Sequence, residues 1–265
     1  MSPPTDYSIK TLNISYKELS ILPTDINNYT QLTILKCEAN KLSQIDNLPT
    51  TLRRLRCFNN KIRQLDNLPA TLIDLDCQAN KLLQLDNLPP KLKRLNCSFN
   101  AISQLDNLPL SLEYLDCKSN KLTQLNNLPA NLKELDCGFN KLIALDNLPM
   151  YLKELDCSAI KITQLNNLPV TLKKLICIYC ELIQLDHLPA NLKILNCSFN
   201  AITQLDNLPE NLEILVCNKN SLTRLDYLPR ALKILSCCDN FLEYNFEPTL
   251  ENIRKYISSN TIISC

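Results

Sequence analysis

Glycine is nearly missing from this chain of 265 residues. Gly138 is its only one, so neither of the common Gly-rich phosphate loops, which need several glycines for close backbone approach, can be built. Histidine is as scarce. A single His187 excludes the two-His metalloprotease helix and leaves no second imidazole for an acid-base pair. No apolar run approaches the ~20 residues of a membrane span. The opening residues, Met1 to Lys10, have neither a basic start nor an apolar core and are not expected to act as a secretory signal. Charge of one sign is also lacking: 28 basic against 27 acidic residues leave a net charge of +1, so no global field recruits nucleic acid or a membrane.

What the chain has instead is one phrase repeated. From Leu32 the pattern L-x-x-L-x-C-x-x-N-x-[LI]-x-x-[LI]-[DN]-x-L-P-x-x returns every 20 residues. It is marked by cysteines at Cys37, Cys57, Cys77, Cys97, Cys117, Cys137, Cys157, Cys177, Cys197, Cys217 and Cys237. Upstream, Ile9, Leu12, Ile14, Leu19 and Leu22 keep the same relative spacing in a longer first repeat, with Lys17 in the Asn slot. The first eleven positions fit the leucine-rich repeat consensus, with Cys in its third apolar slot. The expectation is an α/β repeat solenoid: one leucine-rich repeat domain over 1–265. Residues 1–8 form an N-terminal cap, 9–31 the longer repeat, 32–242 eleven 20-residue repeats and 243–265 a C-terminal cap.

Energetics require the repeats to stack. Leu52, Leu55, Cys57, Ile62, Leu65 and Leu68 offer one repeat about 1.5–3 kcal/mol each on burial, while ordering 20 residues costs about 1–2 kcal/mol apiece. Neighbours must supply the remainder. The x-L-x-C-x stretch alternates as a short strand does, and twelve such strands in register predict a parallel sheet on the concave face of a right-handed arc, about 53 Å long at about 4.8 Å per step. The following Asn (Asn40, Asn60, Asn80 and their successors) carries donors and an acceptor for backbone groups of the turn and of the next repeat. That service is lost at Ile160 and weakened at Cys180. The Leu-Pro pair belongs on an extended or short 3₁₀ outer face, since Pro lacks a donor.

Fourteen cysteines suggest disulfides, but the spacing argues otherwise. Eleven fill inward slots, where a free Cys behaves as a small buried hydrophobe, and in-register parallel strands rarely meet the dihedral demands of a bridge. Reduced thiols and a reducing, cytoplasmic compartment are expected. Cys177 and Cys180 spell CxxC, yet in frame they are a ladder cysteine and an Asn-slot substitute, with no second pair to complete a zinc site. No metal, cofactor or catalytic residue is expected. After Asn240 the period stops, and Leu250, Ile253 and Ile257 stand at helical spacing behind Pro248, as a capping helix would need.

The short repeat with Leu-Pro in its outer half, as in D-N-L-P-A-T-L-I-D-L-D-C-Q-A-N-K-L, resembles the bacterial-effector class of leucine-rich repeats. It is also similar to arrays in giant-virus proteins. The resemblance covers roughly Ile9 to Leu242 and implies a scaffold or adaptor, with the cytosol of a host cell as a possible place of action. Some effectors of this class continue into a ubiquitin-ligase domain with a Cys-x-Asp nucleophile. Cys237-Cys238-Asp239 matches the letters but falls inside the last repeat. Cys in the third apolar slot and D-N before the Leu-Pro are departures from the class.

Function is sought in the outward strand slots, which folding leaves free. Early repeats carry Arg54, Arg56 and Arg94, middle ones are acidic, and late ones are isoleucine-rich. The expected activity is non-enzymatic binding of a protein partner on the concave face. Asp116, Asp136 and Asp156 would meet basic groups, while Ile176, Ile178, Ile194, Ile214, Val216 and Ile234 would form an apolar patch. A nucleic-acid scaffold resting on Arg53, Arg54, Arg56 and Arg63 is the less favoured alternative, because acidic slots repel phosphate. The substrate-recognition part of an effector or ligase assembly is another. The tail ending at Cys265 could instead cover part of the isoleucine surface.

Overall fold

Three residues per repeat suffice for a strand here, because each strand is used once on either side and then left. In the computed structural model, which describes residues 6–261, the chain divides into two units, Met1–Lys141 and Leu142–Cys265. The first holds β1 (Thr11–Asn13), β2 (Ile34–Lys36), β3 (Arg54–Arg56), β4 (Asp74–Asp76), β5 (Arg94–Asn96), β6 (Tyr114–Asp116) and β7 (Glu134–Asp136). Each pairs in parallel with its sequence neighbour, and the register places Leu12, Leu35, Leu55, Leu75, Leu95, Leu115 and Leu135 in one row. The second unit holds β8 (Glu154–Asp156), β9 (Lys174–Ile176), β10 (Ile194–Asn196), β11 (Ile214–Val216) and β12 (Ile234–Ser236), paired the same way, followed by the helix α1 (Leu250–Thr261).

The core is what the alternation requires. In the repeat of β3, Leu52, Leu55, Cys57, Ile62 and Leu65 are buried, and this set recurs along the chain. The Leu-Pro pair divides its labour differently from the sequence expectation. Leu68 is only half-buried while Pro69 is buried, and the proline carbonyl accepts a bond from the leucine three residues on, as Pro49 does from Leu52 N–H at 3.1 Å and Pro69 from Leu72 N–H at 3.0 Å. A single turn therefore closes each short repeat. Among the described residues, 3₁₀ helix occurs only in the longer first repeat, over Ile26–Asn28.

The asparagines bind backward. Asn60 accepts from Leu42 N–H at 3.0 Å and donates to Cys37 O at 3.0 Å and to its own Cys57 O at 3.1 Å. Asn120 does the same for Ile102, Cys97 and Cys117. The amide thus completes the preceding repeat, where the sequence reading had it serve the next. Ile160 and Cys180 carry no side-chain amide, and Ile162 N–H, which stands 18 residues before position 180 as Leu42 does before Asn60, turns instead to the carbonyls of Ile160 and Cys180 at 3.0 and 3.1 Å. At Cys180 the thiol takes over one donor role, 3.1 Å from Cys157 O.

Both described ends are closed. Tyr7 donates to Asp25 Oδ2 at 2.7 Å and packs edge-on against the buried Tyr29 ring at 4.9 Å. At the other end Thr249 caps α1 through Asn252 N–H at 3.2 Å. Ile253 is buried, with Leu250 and Ile257 half-buried beside it. One guanidinium nitrogen of Arg254 donates to the carbonyls of Pro229, Arg230 and Leu232. The expected capping helix is there. The tail at Cys265 lies outside the described residues.

Candidate protein-binding face

Each strand buries its central leucine, apart from the half-buried Leu235 of β12, and turns its two flanking residues to the open face of the sheet. In the first unit these residues answer one another across strands. Arg54 stands opposite Asp74 and Asp74 opposite Arg94, while Arg56 stands opposite Asp76. The basic early slots and the acidic slots that follow are therefore neighbours, which disperses the positive charge a phosphate backbone would need. Arg94 lies over the Tyr114 ring at 4.0 Å from its centroid, a cation–π contact.

Asp116 and Asp136 are brought together in register, but not as two free carboxylates. Asp116 is 5% exposed, and Lys118 Nζ lies 3.5 Å from its Oδ2 and 3.0 Å from Asp136 Oδ2. Burial, then the nearby Asp136, push the Asp116 carboxyl up, and Lys118 opposes this. Lys118 was not singled out in the sequence. Its slot varies widely, from Glu38 and Phe58 through Gln78, Ser98 and Gly138 to Ile178, Asn218 and Cys238, and Lys118 is its one basic residue, which was the available signal.

In the second unit, Asp156 begins the face on β8. Ile194, Ile214 and Ile234 form one unbroken row in register. Ile176 and Val216 flank Asn196 in the next row rather than touching in sequence order, and Ile178 follows at the strand exit. Packing against one another leaves these side chains half-buried, except Ile234, which is 52% exposed. The described residues of α1 leave Ile234 open.

Two further features of this unit escaped sequence reading. Tyr179 and Phe199 occupy the slot before the ladder Asn, and their rings stack at 4.3 Å with 23° between planes. Lys219 Nζ continues the stack 4.9 Å from the Phe199 centroid. On the other side of the strands, Glu213 is held between Lys193 Nζ at 2.8 Å and Lys233 Nζ at 2.6 Å, which draws its carboxyl down to about 2. Both features show as residues recurring at 20-residue spacing outside the strand itself.

The ladder cysteines are inward and buried. Several thiols reach a carbonyl of the next strand, Cys37 Sγ to Arg56 O at 3.4 Å and Cys117 Sγ to Asp136 O at 3.4 Å. Burial pushes them up, Cys197 to about 12 and Cys77 well beyond the usual thiol range. In the Cys237-Cys238-Asp239 triplet, Cys237 is a ladder member donating to Pro248 O at 3.3 Å, whereas Cys238 is exposed. Among the described residues no cluster of three or more His, Cys, Asp or Glu is arranged to hold a metal ion, and no helix is long and apolar enough to cross a membrane.

No family profile and no curated sequence matches the chain. Solved structures do. YopM from Yersinia enterocolitica WA-314 superposes with a TM-score of 0.79 at 32% identity, covering 91% of this chain and 59% of that one. The functional domain of InlJ from Listeria monocytogenes, which includes a cysteine ladder, gives 0.70 at 32% identity, over 82% of this chain and 55% of that one. A Shigella effector leucine-rich repeat domain gives 0.53 at 30% identity, over 58% of this chain and 70% of that one. The chain thus spans under two thirds of YopM and of the InlJ domain. With the repeat pattern, the in-register parallel strands and these likenesses in hand, the chain belongs to the leucine-rich repeat proteins, in the short-repeat class that includes bacterial effectors.

Proposed function

We propose that this protein is a non-enzymatic binding module that takes a protein partner on the open face of its sheet. The observation that carries the reading is the row Ile194, Ile214 and Ile234, three β-branched apolar side chains in register on the solvent side of a sheet. The fold has no structural need of isoleucine there. Strand propensity favours it, but an apolar row on a solvated face is also the usual core of an interface. An ordinary interface needs about 800 Å² per partner, and Ile176, Ile178 and Val216 extend the row toward that area. On the same reading, Asp156 at the β8 side orients a basic group of the partner, whereas Asp116, buried and paired with Lys118 beside Asp136, is turned to its own lysine rather than to a partner.

The experiment is affinity capture from cell lysate with the full chain and with the double variant Ile194→Asp/Ile214→Asp. The expected result is a protein retained by the parent, insensitive to nuclease and lost from the variant. Circular dichroism and melting temperature should stay nearly unchanged. Capture that nuclease abolishes would assign the face to nucleic acid, and capture retained by the folded variant would remove these residues from the site.

A further inference from the structure

The open face of the second unit has two unlike rims. On the leading side, the residue before each strand is Lys153, Lys173, Lys193, Glu213 and Lys233 in successive repeats. Backbone bonds of 2.8 Å from Lys173 N–H to Lys153 O and from Lys193 N–H to Lys173 O hold these one repeat apart, which in a parallel sheet is about 4.8 Å. Glu213 neutralises Lys193 and Lys233. Lys153 and Lys173, both exposed, have no carboxylate within ion-pair reach among the described residues. Like charges stacked so closely repel unless something anionic lies along them.

The trailing rim is the Tyr179–Phe199–Lys219 stack. Both rings sit on residues with φ of 57° and 58°, a left-handed backbone that bulky side chains adopt at a cost. Tyr179 is nevertheless 58% exposed. The same slot is left-handed in most repeats, so what sets this pair apart is the stack itself, an exposed Tyr179 ring beside a half-buried Phe199. Between the rims lies the isoleucine floor, and the carboxylate Glu154 at its β8 end is taken by Lys174 at 3.2 Å.

Resting on the reading of this face as a protein-binding surface, we propose that its occupant is a protein segment in which carboxylates and apolar side chains alternate. The apolar groups lie on Ile194, Ile214 and the Tyr179–Phe199 rings, and the carboxylates reach Lys153 and Lys173 on one rim and Lys219 on the other. Charge complementarity selects this chemistry. A single-stranded nucleic acid would find cations and rings too, but its phosphates would run beside Glu154 and Asp156, and it has no aliphatic groups for an isoleucine floor.

The test pans a random-peptide display library on the immobilised full chain and measures the selected peptides by fluorescence anisotropy. They are measured against the parent, Lys153→Glu/Lys173→Glu and Tyr179→Ser/Phe199→Ser, with an oligothymidylate as competitor and circular dichroism as the folding check. The expected peptides are acidic and rich in apolar residues, bind each variant about tenfold or more weakly, and are not displaced by the oligonucleotide. Neutral or basic peptides, no selected peptides, affinities unmoved by the lysine pair, or displacement by oligothymidylate would each overturn the inference. Such a failure is separable from that of the proposed function, which stands or falls on cellular capture by Ile194→Asp/Ile214→Asp.

Discussion

A chain with one glycine still turns into the left-handed region twice in most of its repeats. Asn47, Asn67, Asn87, Asn107, Asn127, Asn147 and Asn167 do so before the Leu-Pro pair, with His187 in the same slot at φ 56°. These residue types tolerate that conformation best after glycine. The slot before the ladder Asn is less well served, holding Ala39, Ala79, Phe99 and Phe139 at φ of 51–54°, where a Cβ costs about 1–2 kcal/mol. Relief of that strain, partly offset by the greater chain entropy of glycine, makes Ala79→Gly stabilising by about 0.5–1 kcal/mol in urea titration. Asn120→Ala works in the other direction. It strips donors from the carbonyls of Cys97 and Cys117 and the acceptor from Ile102 N–H, and should cost about 1–3 kcal/mol in the same assay. The ladder asparagines were legible because an amide at fixed spacing needs a structural reason. The conformational duty of the D-N asparagines was not, since composition alone does not distinguish a solvated Asn from a left-handed one.

At the scale of elements, strands of three residues are held at their edges by side chains as well as by the ladder. Glu113 sits between Lys93 at 2.9 Å and Lys133 at 2.5 Å, as Glu213 does between its own two lysines, and both carboxyls are drawn down to about 2 from an ordinary 4.5. A depressed carboxylate contributes stability that is present above the unfolded value and lost as pH falls through the folded one. The gap in melting temperature between the parent and Glu213→Gln should therefore be fully open above about pH 4.5 and close toward about pH 2. A gap independent of pH would show that the clamp adds only packing. These clamps illustrate what the sequence concealed. Lysine recurs in this slot at 20-residue spacing, and pairing depends on where one acidic residue, Glu113 or Glu213, interrupts the run. The capping helix was easier to read, because Leu250, Ile253 and Ile257 declare a helical period next to an array whose exposed end needs a cover.

For the molecule as a whole, the fold was legible because the same apolar slots recur through the array, each recurrence checking the last, and the in-register strands and the likeness to YopM and InlJ agree with it. The proposed binding face was only partly legible: Ile194 and Ile214 could be placed by counting, but the burial of Asp116 and the Tyr179–Phe199 stack depend on side-chain packing that spacing does not encode. The expectation of a single domain over 1–265 predicts one coincident unfolding transition by fluorescence and circular dichroism. Two transitions would show that residues 1–141 and 142–265 melt separately. The backward reach of the asparagines also gives the array a direction in time. A repeat leaving the ribosome has its strand and apolar side chains, yet Leu42 N–H and Cys37 O wait for Asn60, 18 and 23 residues later. At about 5–20 residues per second each turn stays unfinished for about 1–5 s, so the growing tip of the nascent chain is always one repeat behind its own synthesis.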